Sequence, residues 1–77
     1  MNPELEHLIW KVATFTERLQ PHIECTLMES STNFIVLGCN SVRGRDTLHR
    51  MLAECGLFCF DLKGNGRAVS RLLVQET

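Results

Sequence analysis

An arginine and a histidine stand four residues apart in the second half of the chain, as Arg45 and His49. Residues at this spacing lie on one face of a helix, about one turn apart. The planar guanidinium of Arg45 could hold a phosphate group, and His49 could stack on a base or donate a hydrogen bond to a phosphate. The pair indicates a surface that could bind nucleic acid, although an ordinary solvent-exposed helix can carry the same pair by chance.

Basic residues in two later segments could extend this surface. Lys63 and Arg67 flank Gly64-Asn65-Gly66, a strong turn signal whose backbone N–H groups could meet a phosphate. Arg71 then leads an apolar segment. Because a strand rather than a helix is predicted after the glycines, a hairpin turn is favoured over a dinucleotide-binding loop.

The order of these features resembles the R-three-H domain family, small modules named for their Arg-x-x-x-His helix that bind single-stranded nucleic acid. The similarity covers roughly residues 44–74: the Arg-x-x-x-His helix, its Gly-Leu exit at residues 56–57, the Gly-x-Gly turn and the arginine before the last apolar strand. The resemblance implies that Arg45, His49, Arg67 and Arg71 line one binding surface for RNA or DNA, and Lys63 would extend it.

Periodicity predicts six elements in the order helix, strand, strand, helix, strand, strand. The first helix has Asn2 as N-cap, ends at Pro21 and carries an apolar stripe made of Leu5, Leu8, Ile9, Val12, Phe15 and Leu19. Strands are predicted over residues 23–28, 34–37, 57–62 and 68–74, joined in two hairpins. Residues 29–33 and 38–43 are predicted to be a turn and a loop.

The second helix is predicted from Val42 or Arg43 to Cys55, with Ser41 as its cap and Gly56 as its C-terminal stop. Its inward face is predicted to consist of Leu48, Met51, Leu52 and Cys55. The fold class that follows is α+β, a two-layer sandwich in which an antiparallel sheet carries both helices on one face.

Length and charge limit the possible functions. The 77 residues are enough for one small domain, and 44% of them are hydrophobic. The formal charge of -1 argues against a strongly basic nucleic-acid binder, but it is unevenly distributed. Residues 1–40 contain two basic and five acidic residues, whereas residues 41–77 contain six basic and four acidic ones. The second half could therefore present a modest basic face.

Targeting and membrane signals are not recognisable in the sequence. No apolar run approaches the length needed to span a bilayer, and acidic residues stand where a signal peptide would be basic. We therefore expect no membrane association and an intracellular location, cytoplasmic or nuclear. In such a reducing compartment, disulfides are not expected among the four cysteines.

Catalytic and metal-binding patterns are weak. The closest cysteines, Cys55 and Cys59, are four residues apart and lack the usual zinc-site spacing, so buried structural thiols are favoured. His7 and His22 are isolated, and no Ser or Cys lies in a recognisable nucleophile motif. The sequence therefore predicts a protein without catalytic activity, metal or cofactor.

Two functions remain open at this point. The favoured one is a small module for single-stranded RNA or DNA that uses Arg45, His49, Lys63, Arg67 and Arg71. The alternative is a protein-interaction or homodimerisation module that uses an apolar sheet face or edge. It is suggested by an apolar excess that one face of a small sheet could not bury, made up of Phe58, Phe60, Leu62, Leu72 and Val74.

Overall fold

Two helices and four strands follow one another in the computed structural model, which describes residues 3–19 and 25–76. The elements are α1 (Pro3–Leu19), β1 (Cys25–Ser30), β2 (Phe34–Cys39), α2 (Val42–Glu54), β3 (Phe58–Asn65) and β4 (Ala68–Gln75). The predicted order is confirmed. Some predicted features lie outside the described part: Asn2, Pro21, His22, residues 23–24, and the side chains of Phe15 and Leu19.

The four strands form one open antiparallel sheet in the order β1-β2-β4-β3. The two hairpins therefore join through their second strands, β2 and β4. In this pairing Phe34 lies opposite Gln75 at one end and Cys39 lies opposite Ser70 at the other. This arrangement places the two most apolar strands in the centre. β1 and β3 are the edge strands.

The core lies between the sheet and both helices. Ile35 and Leu37 of β2 and Leu72 and Val74 of β4 are at most 4% exposed, and they alternate with residues that point to the other side of the sheet. They meet four helix residues that are at most 3% exposed and one residue of the α2–β3 connection, namely Leu8, Val12, Leu48, Leu52 and Leu57. Burying each such side chain contributes about 1.5–3 kcal/mol. The predicted α+β sandwich with both helices on one face is confirmed.

Local capping determines where α2 begins and ends. The Ser41 side-chain oxygen accepts a hydrogen bond from the Gly44 N–H at 2.9 Å, as expected of an N-cap residue. At the other end Gly56 has a φ of 88°, and the Leu57 N–H donates to the Leu52 carbonyl at 3.2 Å. This is a Schellman motif, in which glycine adopts the left-handed conformation without strain. Both predicted helix ends are confirmed.

Cys55 does not lie on the inward face of α2, contrary to prediction. It is the C-cap residue and is exposed, because the chain turns away from the helix there. The other inward residues are Leu48 and Leu52, both fully buried, and the half-buried Met51.

Strand ends also differ from the prediction, because pairing partners extend the strands. β2 continues through Gly38 and Cys39, where a loop was predicted, since these residues pair with Arg71 and Ser70 of β4. β1 extends to Ser30 and contains an irregularity between Leu27 and Glu29. β3 runs to Asn65, so the β3–β4 turn consists of residues 66–67 alone.

Gly64 is needed for close packing in the β3–β4 hairpin. A Cβ atom at this position would overlap the backbone carbonyl oxygens of Ala68 and Val69. We expect Gly64→Ala to lower the free energy of unfolding by about 1–3 kcal/mol, since the overlap can be relieved only by moving the backbone. Urea denaturation followed by circular dichroism measures this change.

The matched control is Gly66→Asn in the same hairpin. Gly66 has a φ of 60° with open space around its Cβ direction, and asparagine tolerates this conformation better than other residues. This variant should lose clearly less stability than Gly64→Ala. Equal losses in the two variants would contradict the role assigned to Gly64.

Candidate functional site

Arg45 and His49 lie side by side on the flank of α2 that faces the edge strand β3. His49 Nδ1 is 2.7 Å from Asp61 Oδ1, and Arg45 Nε is 3.6 Å from the same oxygen. The prediction that these two side chains share one face of a helix is confirmed. The carboxylate between them was missed, because its position depends on how β3 pairs with β4.

The Arg45 guanidinium joins α2 to β3. Its Nη1 donates to the Leu62 carbonyl at 3.2 Å, while Nε and Nη2 donate to Asp46 Oδ1 at 3.2 and 3.0 Å. Only 15% of the side chain is exposed. Arg45 therefore satisfies a backbone carbonyl of the edge strand β3. Covering such backbone groups is one way in which proteins protect a sheet edge. We call Arg45, Asp46, His49 and Asp61 the charged cluster.

This geometry limits what Arg45 can offer a ligand. All three of its nitrogen atoms already donate to protein oxygens, and two carboxylates lie next to it. Arg45→Glu would place a third carboxylate beside Asp46 and Asp61. If Arg45→Glu lost nucleic-acid binding, the repulsion among these carboxylates could be the cause. The loss would therefore not by itself show that Arg45 contacts the nucleic acid.

The other predicted site residues lie elsewhere on the sheet. Lys63 pairs with the buried Ser70, so it extends to the helix-covered side at the end of β3, where it is exposed. Arg71 alternates with Ser70 and Leu72 and points to the opposite side, and its Nε donates to the Lys63 carbonyl at 2.8 Å. Arg67 is exposed in the β3–β4 turn. The five predicted residues therefore lie on both sides of the sheet and at its end.

The side of the sheet that faces away from the helices has no covering element among the described residues; we call it the open face. Phe58, Phe60 and Leu62 of β3 point to it, because their partners on β4 alternate with the buried Leu72 and Val74. Phe58 is 55% exposed and Phe60 is 52% exposed. The apolar excess predicted from the sequence is thus divided between the core and this face.

Most strand side chains on the open face are apolar. Val36, which is 3% exposed, and the half-buried Leu73 lie at its centre, Met28 lies over Gly38 on the β1 side, and Val69 is 58% exposed near the turn. Strand alternation brings only two charged strand residues to this face, Glu29 of β1 and Arg71 of β4. An apolar patch of this kind is typical of a binding surface.

Comparison with models of known protein families, with curated proteins and with solved structures finds no match to this chain. The resemblance to R-three-H domains therefore stays a prediction. Within residues 3–19 and 25–76, no three His, Cys, Asp or Glu side chains are grouped so that they could hold a metal ion. Neither of the two described helices is long and apolar enough to cross a membrane.

Asp61 should contribute more to stability than Asp46, because Asp61 connects β3 to α2 whereas Asp46 pairs with a neighbour on its own helix. We expect Asp61→Ala to cost about 1 kcal/mol, since the side chain is half exposed and solvent weakens both its ion pair with Arg45 and its hydrogen bond with His49. Asp46→Ala should cost only about 0.3 kcal/mol. Urea denaturation of both variants measures the difference, and equal costs would contradict the connecting role of Asp61.

Proposed function

We propose that this chain is a protein-interaction module, that the open face is its binding surface, and that its partner is a second copy of the same chain. The observation that carries the proposal is the half-exposed pair Phe58 and Phe60 on a sheet whose two described helices lie on the opposite side. Covering such aromatic side chains removes apolar area from water, which is the main driving force of association.

The size of the molecule fits this proposal. Its described residues expose 5021 Å² in total. A standard interface buries about 800 Å² on each partner, roughly a sixth of that surface. One broad face of a two-layer domain can supply this area, so no further element of the chain needs to take part.

The charges of the open face favour a second copy over a polyanion. Glu29 and Arg71 balance each other, and Arg67 adds one positive charge at the turn end, so two copies can approach with little net repulsion across the interface. Two such sheets can pack about 10 Å apart with their side chains interdigitated. In a two-fold symmetric dimer the same patch serves both partners, which requires a surface compatible with itself.

Phe60→Glu tests the proposed dimer. A carboxylate at this position would be buried without a partner in the interface, so we expect the dissociation constant to rise at least ~100-fold. Sedimentation equilibrium over a concentration series measures the change. Val69→Glu, on the same face, should act in the same direction.

Trp10→Glu is the matched control. Trp10 is 65% exposed on α1, on the other side of the molecule, where its ring stacks against His7. This variant makes the same kind of change and should leave the dissociation constant within about twofold. Wild-type protein that stays monomeric at the highest concentration studied would contradict the proposal, and so would equal effects of the Phe60 and Trp10 variants.

A second candidate function, binding of single-stranded nucleic acid, is supported by a separate observation at the turn end of the open face. A groove there is lined by Met28, Gly38 and Arg67, among others, and Arg71 lies on the same face. Phe58 and Phe60 are two residues apart on the same strand and could stack on successive bases. The phosphate contacts would come from Arg67 and Arg71, while Lys63 lies on the helix-covered side and Arg45 and His49 stay bound to Asp61.

An amide NMR titration with short single-stranded RNA and DNA tests this second candidate. We expect shifts at Phe58, Phe60 and residues 63–71, and two phosphate contacts predict a slope of about -1.4 for log K against log salt. Arg71→Ala should weaken binding, whereas Arg50→Ala, exposed on α2, should not. Titrations without shifts, or equal effects of the two variants, would exclude this surface.

A further inference from the structure

Two cysteines lie directly opposite each other on β1 and β2. Cys25 and Cys39 are Cα partners in the antiparallel pair, and their Sγ atoms are 3.5 Å apart. Directly opposed residues in antiparallel strands have Cα atoms about 4.5–5.5 Å apart, which lies within the range of about 4.4–6.8 Å found for disulfides. The other two cysteines have no such geometry, since Cys55 is exposed at the helix end and Cys59 pairs with Val74.

We propose that Cys25 and Cys39 form a redox site, a dithiol that a small disulfide compound such as glutathione disulfide converts reversibly into a cross-strand disulfide. The strands are already paired in the correct register. Only the side chains must rotate, bringing the sulfur atoms from 3.5 Å to the S–S bond length of about 2.05 Å.

The surroundings of the pair favour this chemistry. The hydrogen bond from Cys25 and then the positive charge of Arg45 lower the pKa of Cys39 against the opposing effect of burial. The same hydrogen bond, together with burial and the charge of Cys39, raises the pKa of Cys25. When the pair loses a proton, the negative charge therefore concentrates on Cys39, and Cys25 keeps its proton. A thiolate is the reactive form of cysteine in disulfide exchange.

Exposure determines which sulfur meets the oxidant. Cys39 is 1% exposed, whereas Cys25 is only partly buried. Cys25 Sγ attacks one sulfur of R–S–S–R, breaks that S–S bond and expels RS⁻, while the proton of Cys25 passes to Cys39. Cys39 Sγ then attacks Cys25 Sγ, expels the second RS⁻ and loses its proton to it. The two protein sulfur atoms are oxidised by two electrons, and one R–S–S–R is reduced to RSH and RS⁻, the RS⁻ taking a proton from water.

The disulfide would fasten an edge strand, β1, to its neighbour β2. β1 is an edge strand whose only strand partner is β2. A bond between residues 25 and 39 would close the β1–β2 hairpin and restrict the unfolded chain. Oxidation should therefore raise the stability of the folded form and hold β1 in its present register.

The test uses a variant in which only this pair remains, made by Cys55→Ser together with Cys59→Ala. Removing the exposed Cys55 prevents disulfides between molecules through this residue. The folded variant is incubated with glutathione disulfide, quenched in acid, and analysed by intact mass and non-reducing electrophoresis. We expect a single chain that is not covalently linked to another and that is lighter by two hydrogen atoms. Dithiothreitol should restore the original mass, and the oxidised form should have a higher urea midpoint than the reduced form.

Two controls use the same background. Adding Cys25→Ser, or separately Cys39→Ala, should abolish the loss of two hydrogen atoms, and urea denaturation shows whether each variant is folded. Unchanged mass, a stable glutathione adduct, or chains linked to one another would overturn the proposal. A disulfide that lowers the urea midpoint would also overturn it, because the bond would then not fit the native strand pair.

Discussion

The two helices cover only one side of the four-stranded sheet, and this arrangement governs the rest of the described structure. The side chains of β2 and β4 alternate, so Ile35, Leu37, Leu72 and Val74 meet the helices while their neighbours face away. The same alternation places Phe58 and Phe60 on the open face. Core and candidate interface are thus two consequences of one strand geometry.

The charged cluster shows how groups suited to ligand binding can instead connect elements. Arg45 bonds to the Leu62 carbonyl and, with His49, approaches Asp61, so α2 is attached to an edge strand. The positive charge of Arg45 also lowers the pKa of Cys39, so the charged cluster is linked electrostatically to the β1–β2 pair. Arg45 thereby acts on both the edge strand β3 and the central strand β2. The open face, by contrast, has few charges, so a partner would contact it mainly through apolar side chains.

Much of the fold could be predicted from the sequence, because its signals are local. The stripe that includes Leu8 and Val12 defines α1, and Ser41 and Gly56 mark the ends of α2 through hydrogen bonds within a few residues. Predictions were wrong where a distant partner decides the structure. Residues 38–39 read as loop by composition, yet they are strand because β4 pairs with them.

The sequence by itself determined the order and type of the elements, the apolar residues that seek burial, and the nearness of Arg45 to His49 on one helix face. Only the tertiary structure decided that Asp61 lies between these two side chains, that Arg71 points away from them, and that Cys25 meets Cys39. The physical reason is the range of the interactions. Helical and strand periods repeat within a few residues, whereas strand register is set by pairing between distant segments.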